Sequence, residues 1–328
     1  MKSAKLYRYQ LPMDSGVILR NHKLTERVGF IVELNENGRI GRSEIAPLIG
    51  FSVETTEEAG IQAQHQLEMW AAGENFEYDE LYPSVAFGLS MAELELSGGL
   101  PQEGNYQVAP LCSGDPDELL PVLSAMEGKK IAKVKVGLYE PIRDGMIVSL
   151  LLESIPDLSL RLDANRSWTL EQAQQFAKYV APSLRQRINY LEEPCMSPGE
   201  SFSLAMDTGI AIAWDETLQH AVQKHGFSLE DLTGAKAIVI KPMLIGSVQR
   251  CIDLIEKAKV LSIQAVISSS IESSFGLDQL ARFAQWQLPD EAPGLDTLSL
   301  FKTQLETEWP ESNLPVARLS EQQLMWQS

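Results

Sequence analysis

Two lysines alternate with two valines in "KVKV", Lys133 to Val136. On a strand, alternate side chains face opposite sides, so the two ammonium groups share one face and the valines the other. That pattern suits a solvated edge strand, where lysine discourages edge-to-edge pairing. It equally suits a site that supplies anions, because like charges this close repel and their burial needs compensation. Polar residues recur where other short apolar runs end. "LRLDAN" carries Arg161, Asp163 and Asn165 at one parity, "NYLEEP" carries Glu192 and Glu193, and "AIAWDE" carries Asp215 and Glu216. "AIVIKP" contains Lys241, and "AVISSS" begins its serines at Ser268. Successive intervals from Lys135 to Asp163, Glu192, Asp215, Lys241 and Ser268 are 28, 29, 23, 26 and 27 residues. One strand-end carboxylate is ordinarily a helix cap or a solvated loop residue. Three on consecutive runs, flanked by lysines, are poorly explained that way. Three carboxylates with no neighbouring His or Cys form a hard oxygen set, suited to Mg²⁺, with Mn²⁺ as the alternative, rather than to zinc. Lys133 and such a dication beside Lys135 would favour the neutral amine that a base needs.

The elements that must position these residues follow from periodicity. Strand-sized runs are expected at 107–111, 131–136, 158–163, 188–191, 210–214, 237–241 and 265–268, with a weak eighth near Gly294. Between them lie amphipathic stretches with helix-start signals: Asp115-Pro116, Thr169 with Gln172, and Ser247. Alternating strand and helix implies a parallel sheet, and about eight units imply a closed α/β barrel, whose active sites gather at the C-terminal strand ends. A doubly wound open sheet is the rival, disfavoured by the lack of a GxGxxG after the first strand.

The first hundred residues read differently. Strands are expected at 5–10, 28–34 and 39–43, the last two joined by a tight turn at Asn37-Gly38. Two helices follow, one opening on a Thr55/Glu58 capping box and one stopping at Gly98-Gly99. The expected organisation is an α+β domain over 1–105, a TIM-like barrel over 106–300, and a segment, 301–328, packing back on the first domain. "MDSGVILR", with Arg20, and "APLIGFSVE" are the candidate lid loops, since such a site needs water excluded.

Composition bounds the partners. A net charge of −18 argues against nucleic acid and anionic membranes, which need basic patches. No apolar run approaches a membrane span, and the N-terminal stretch lacks a signal-peptide core. Cys112, Cys195 and Cys251 form no CxxC pair, so neither a disulfide framework nor a zinc site is expected, and a reducing cytoplasm is. The histidines show no metal-ligand or catalytic spacing. A monomer acting on a small-molecule carboxylate is the expectation, with a homo-oligomer left open.

KxK on the second strand, Asp, Glu and Asp on the next three and Lys on the sixth resemble the enolase superfamily, in its muconate-lactonizing-enzyme-like subgroup. That superfamily uses a Lys base with Mg²⁺. The resemblance spans nearly the whole chain and implies a modified (β/α)7β barrel with an N-terminal α+β capping domain. More narrowly, "KVKVGLYEPIRDG", "LRLDANRSW", "LEEPC", "AIAWDE", "VIKP", "AVISSSIESS" and "PGLDT" are similar to the o-succinylbenzoate synthase family, in the proteobacterial branch serving menaquinone synthesis. The resemblance implies that Lys135 is the general base, Lys133 its electrostatic companion and Lys241 a cationic stabiliser on the opposite face. It implies Asp163, Glu192 and Asp215 as metal ligands, and Arg161, Ser268 and Gly294 as substrate contacts. The implied reaction is dehydration of 2-succinyl-6-hydroxy-2,4-cyclohexadiene-1-carboxylate to 2-succinylbenzoate. One stretch departs from the family: the segment between Asp215 and Lys241 is slightly longer than its norm. Two readings compete: an N-succinylamino-acid racemase or dipeptide epimerase, in which both opposed lysines act as bases, and a non-catalytic binding barrel.

Overall fold

The computed structural model describes residues 2–14, 18–19, 22–232 and 234–328. The expected lid loop "MDSGVILR" therefore lies partly outside the described residues, and Arg20 wholly so. The chain divides into two compact units: Met1–Gln107 with Ile240–Ile255 and Ile267–Ser328, and Val108–Val239 with Glu256–Val266.

In the first unit, β1 (Lys2–Pro12) is followed by the short pair β2 (Ile18–Leu19) and β3 (His22–Lys23), then by β4 (Glu26–Glu36) and β5 (Arg39–Ile45). β1 pairs antiparallel with β4 along its whole length. The β4–β5 turn has φ of 53° at Asn37 and 85° at Gly38, the double left-handed geometry that Asn-Gly tolerates. α1 (Thr56–Ala71) starts on the expected capping box, with Thr55 accepting from Glu58 N and Glu58 reaching back to Thr55 N. Such a box satisfies donors that would otherwise be orphaned, contributing about 1 kcal/mol. Its buried face, Ala59, Ala63, Leu67 and Trp70, recurs at helical spacing and packs with Leu6, Phe30 and Val32 of the sheet. α2 (Pro83–Ser97) ends where Gly98 turns left-handed at φ 74°.

The rest alternates strand and helix. In chain order come β6 (Leu111–Cys112), α3 (Pro116–Ser124), β7 (Ile131–Lys135), α4 (Pro141–Ser154), β8 (Ser159–Asp163), α5 (Leu170–Lys178) and α6 (Pro182–Arg185). β9 (Ile188–Glu192), α7 (Pro198–Thr208), β10 (Ile212–Trp214) and α8 (Glu216–Val222) follow. Next are β11 (Ala237–Ile240), α9 (Pro242–Ile245), α10 (Val248–Val260), β12 (Gln264–Ile267) and α11 (Ser274–Gln287). Among the described residues β6 to β12 form a seven-stranded sheet in which sequence neighbours are spatial neighbours. The fold is an α/β barrel of the (β/α)7β type with an N-terminal α+β capping domain. Its first strand is shorter than expected: of 107–111 only Leu111 joins the ladder, continuing to Cys112. Pro110 has no N–H to donate, and contributes only its carbonyl, which accepts from Lys133 N at 2.9 Å. The weak eighth strand is a single parallel bridge, Ser268 with Gly294.

Val134 and Val136 pack with Val148, Leu151 and Leu152 of α4 and with Phe176 of α5. The valine face of "KVKV" is therefore the helix-facing side, which leaves both lysines on the other. Toward the C-terminus, β13 (Gln304–Leu305) pairs with β14 (Val316–Ala317), and β15 (Gln323–Gln327) runs antiparallel to β1, with Leu6 opposite Trp326.

Within the first unit a buried polar cluster joins β1, β4 and β5 to the turn after β12. Tyr9 donates to Glu44, whose oxygens also accept from Ser273 N and Ser273 Oγ. Arg27 donates to the carbonyls of Ala46, Pro47, Ser270 and Ile271. Glu272, fully buried, accepts from Ser270 N. Burial, and then the charge of Glu44, push the Glu272 carboxyl up to about 7, against the opposing pull of Arg27. The folded state therefore holds this proton more tightly than the unfolded chain. The resulting stability is fully present below the usual 4.5 and is lost as pH rises through about 7. Glu272→Gln should accordingly raise the melting temperature by about 2–4 °C at pH 8 and change it little at pH 5. Thermal melts followed by circular dichroism at the two pH values check this, and equal melting temperatures at pH 8 would contradict it.

Candidate active site

Strand register explains how residues 28 and 29 positions apart become neighbours. β7 and β8 are parallel, with Lys133 opposite Arg161 and Lys135 opposite Asp163. A shift between Leu160 and Arg161 then sets Arg161 opposite Tyr190 and Asp163 opposite Glu192. On the far side of β9, Glu192 stands opposite Ala213 of β10, whose end carries Asp215.

The side chains follow from that register. Lys135 Nζ lies 2.6 Å from Asp163 Oδ2 and 2.6 Å from Asn165 Oδ1. Lys133 Nζ lies 2.9 Å from the same Asp163 oxygen and 2.8 Å from Glu192 Oε2. Two ammonium groups thus share one carboxylate oxygen, which answers the like-charge problem posed by their alternation. Asp163, Glu192 and Asp215 are all buried, at 2%, 1% and 0% exposure. At such depth a carboxylate stays charged only beside compensating charge. Burial by itself would raise the Asp163 carboxyl, but Lys133 and Lys135 outweigh it and hold the group far below the usual carboxylate range. Burial likewise works against charge on Lys133, and Asp163 followed by Glu192 outweighs it, holding the ammonium well above its ordinary value. Asp215 accepts from the side-chain amide of Gln219 one helical turn on.

Arg161 is buried with its guanidinium 5.7 Å from the Tyr190 ring centroid. Lys241 follows β11, and its ammonium lies 5.9 Å from the centroid of Phe51, a residue of "APLIGFSVE". Ser268 N donates to Ile240 O, beside Lys241 in sequence, and Ser268 Oγ donates to Gly294 O at 3.1 Å. A Cβ at Gly294 would meet Ser268 Oγ at 2.9 Å, so glycine allows this close approach. Glu193, Arg166 and Thr217, which received no role from the sequence, form a bonded group beside the strand-end carboxylates. The doubled acid of "LEEP" was the available signal.

Asp163, Glu192 and Asp215 fit a hard divalent cation in kind: oxygen donors only, three negative charges, at three adjacent strand ends. Lys133 Nζ stands between two of them as the cation. Among the described residues no group of three His, Cys, Asp or Glu side chains is gathered to metal-holding distance. No helix of the described residues is long and apolar enough to cross a membrane.

Residues 1–96 match the family model of the MenC N-terminal domain, and residues 122–309 that of the enolase C-terminal domain-like family. The chain is 68% identical over 328 residues to o-succinylbenzoate synthase of Vibrio cholerae serotype O1, covering 100% of this chain and 99% of the relative. To the Aliivibrio fischeri o-succinylbenzoate synthase it is 57% identical, covering 100% of both. Among solved structures, o-succinylbenzoate synthase from Thermosynechococcus elongatus BP-1, complexed with Mg in its active site, superposes with a TM-score of 0.70. Identity there is 23%, over 89% of this chain and 92% of the other. The L-Ala-D/L-Glu epimerase of Bacillus subtilis superposes at 0.74 with 17% identity, over 92% and 91%. Synthase and epimerase thus share the fold, and the fold does not choose between them. Full-length sequence identity does: the chain belongs to the o-succinylbenzoate synthase family of the enolase superfamily.

Proposed function

We infer that this chain is a hydro-lyase that dehydrates 2-succinyl-6-hydroxy-2,4-cyclohexadiene-1-carboxylate to 2-succinylbenzoate, the aromatic intermediate of menaquinone synthesis. Full-length identity to the synthases supports the choice of reaction. The observation that carries the chemistry is the pair Lys133 and Lys135 on one oxygen of buried Asp163, with Glu192 as the second anion. A proton next to a carboxylate is hard to remove because its loss leaves a dianionic enediolate. Asp163, Glu192 and Asp215 would hold a divalent cation, Mg²⁺ with Mn²⁺ as substitute. When bound, that ion supplies fixed positive charge where negative charge develops.

Lys135 is the base. Its Nζ is oriented by Asp163 and Asn165, takes the proton, and returns it to the departing hydroxyl on the same face. Lys133 stays charged, bound to Asp163 and Glu192, and keeps positive potential beside the base. Lys241 acts as a cation toward the ring, worth on the order of 0.5–2 kcal/mol by cation–π attraction. Phe51, beside that ammonium, belongs to a loop suited to excluding water. Arg161, Ser268 and Gly294 are the proposed substrate contacts. Buried free cysteines suit a reducing cytoplasm.

The test is an ultraviolet assay of dehydration with Mg²⁺, run beside racemisation of an N-succinylamino acid. Dehydration is the dominant activity under this reading. Racemisation without dehydration would replace it with the racemase reading, and neither activity would favour a binding barrel.

A further inference from the structure

Glu193, directly after the ligand carboxylate of β9, is fully buried and has a left-handed φ of 43°. A residue with a side chain takes that conformation at a cost, so its surroundings must hold it there. Its backbone N donates to Ala213 O at 3.2 Å, and its carbonyl accepts from Arg166 N at 2.8 Å. Its carboxylate is shared between two further elements. Oε1 accepts from Asp215 N at 3.1 Å and Thr217 N at 2.7 Å. Oε2 accepts from Thr217 Oγ1 at 3.0 Å and Arg166 Nε at 3.0 Å, and Arg166 Nη2 closes the ring on Thr217 Oγ1 at 2.8 Å. Asn165 and Arg166 also have left-handed φ, 46° and 59°, so the turn after β8 is held by the same group.

Capping α8 alone would need one oxygen on Thr217 N. The second oxygen instead reaches back to the turn after β8. One buried anion therefore binds the ends of β8, β9 and β10, the strands that bear Asp163, Glu192 and Asp215. We propose that Glu193 is a positioning residue that sets the mutual placement of these three carboxylates by tying their strand ends together. It rests on the reading that those carboxylates hold a divalent cation.

The experiment titrates Mn²⁺, followed by electron paramagnetic resonance, into full-length protein stripped of metal. Glu193→Gln keeps an acceptor for the backbone amides but turns an amide N–H toward the Arg166 donors. The dissociation constant for Mn²⁺ should rise about 10–100-fold, as for other residues that orient metal ligands. Arg166→Gln, at a partly exposed side chain, should weaken binding several-fold. The double variant removes the opposed donors and should recover part of the loss. A merely structural Glu193 would lower the melting temperature of these variants and leave Mn²⁺ affinity within twofold of wild type, which would overturn the proposal. Wild-type protein that binds no Mn²⁺ would overturn the metal reading and this inference together. Tight wild-type binding, lost in Asp163→Asn and unchanged in the Glu193 and Arg166 variants, would overturn this inference alone.

Discussion

Lys135→Arg should eliminate dehydration, and Lys241→Arg should retain it at a reduced rate. Arginine keeps the positive charge of lysine but is essentially never deprotonated in a protein, so it separates a base from a cation. In the proposed reaction Lys135 gives up and regains a proton in each turnover. Its replacement should cost at least the roughly 10²–10⁴-fold that a positioned acid or base contributes. Lys241 need only remain charged, so arginine there should cost far less, chiefly through the bulk of its planar head. Lys241→Ala removes the charge and should lower the rate about 2–30-fold, the equivalent of one cation–π contact. In a two-base racemase both lysines shed protons, and Lys241→Arg would then be as damaging as Lys135→Arg. Dehydration rates of the three variants distinguish the cases.

Chelation comes second in expected effect. EDTA should abolish activity and Mg²⁺ should restore it, because no side-chain base alone supports a dianionic enediolate at neutral pH. Asp163→Asn should weaken divalent-ion binding at least tenfold, since Asp163 is one of only three proposed anionic ligands. It should leave the fold largely intact, because the residue ends its strand and the apolar contacts of β8 come from Leu160 and Leu162. Calorimetric titration with Mg²⁺ and a circular dichroism melt measure the two effects separately. Full turnover in rigorously metal-free buffer would contradict the account.

How far these outcomes follow from residue order alone differs from element to element. The Thr55/Glu58 box, the Asn37-Gly38 turn and the Thr169/Gln172 box are local, and each appears where its residues predict. The valine and lysine faces of "KVKV" are also local, a consequence of period-two alternation. The first barrel strand is shorter than its apolar pattern predicts, because Pro110 lacks the N–H a longer ladder needs. What residue order does not carry is the route of a chain through left-handed backbone. At Asn165, Arg166 and Glu193 the alternation of faces stops, so the inward turn of the Glu193 carboxylate is invisible to a pattern of twos. The pairing of each lysine is similarly hidden. It depends on register, including the shift between Leu160 and Arg161, and register is a property of the assembled sheet. Residue types alone suggested carboxylates around a cation. The assembled site has an ammonium between Asp163 and Glu192.

Hydrogen–deuterium exchange at the acidic carbon of the substrate tests the assignment of Lys135 most directly, because it reports proton removal whether or not water is lost. In deuterium oxide with Mg²⁺, Lys241→Arg should retain measurable exchange and Lys135→Arg should show none above the uncatalysed background. Exchange by Lys135→Arg at the wild-type rate would mean that another group removes the proton, and would contradict the account at its centre.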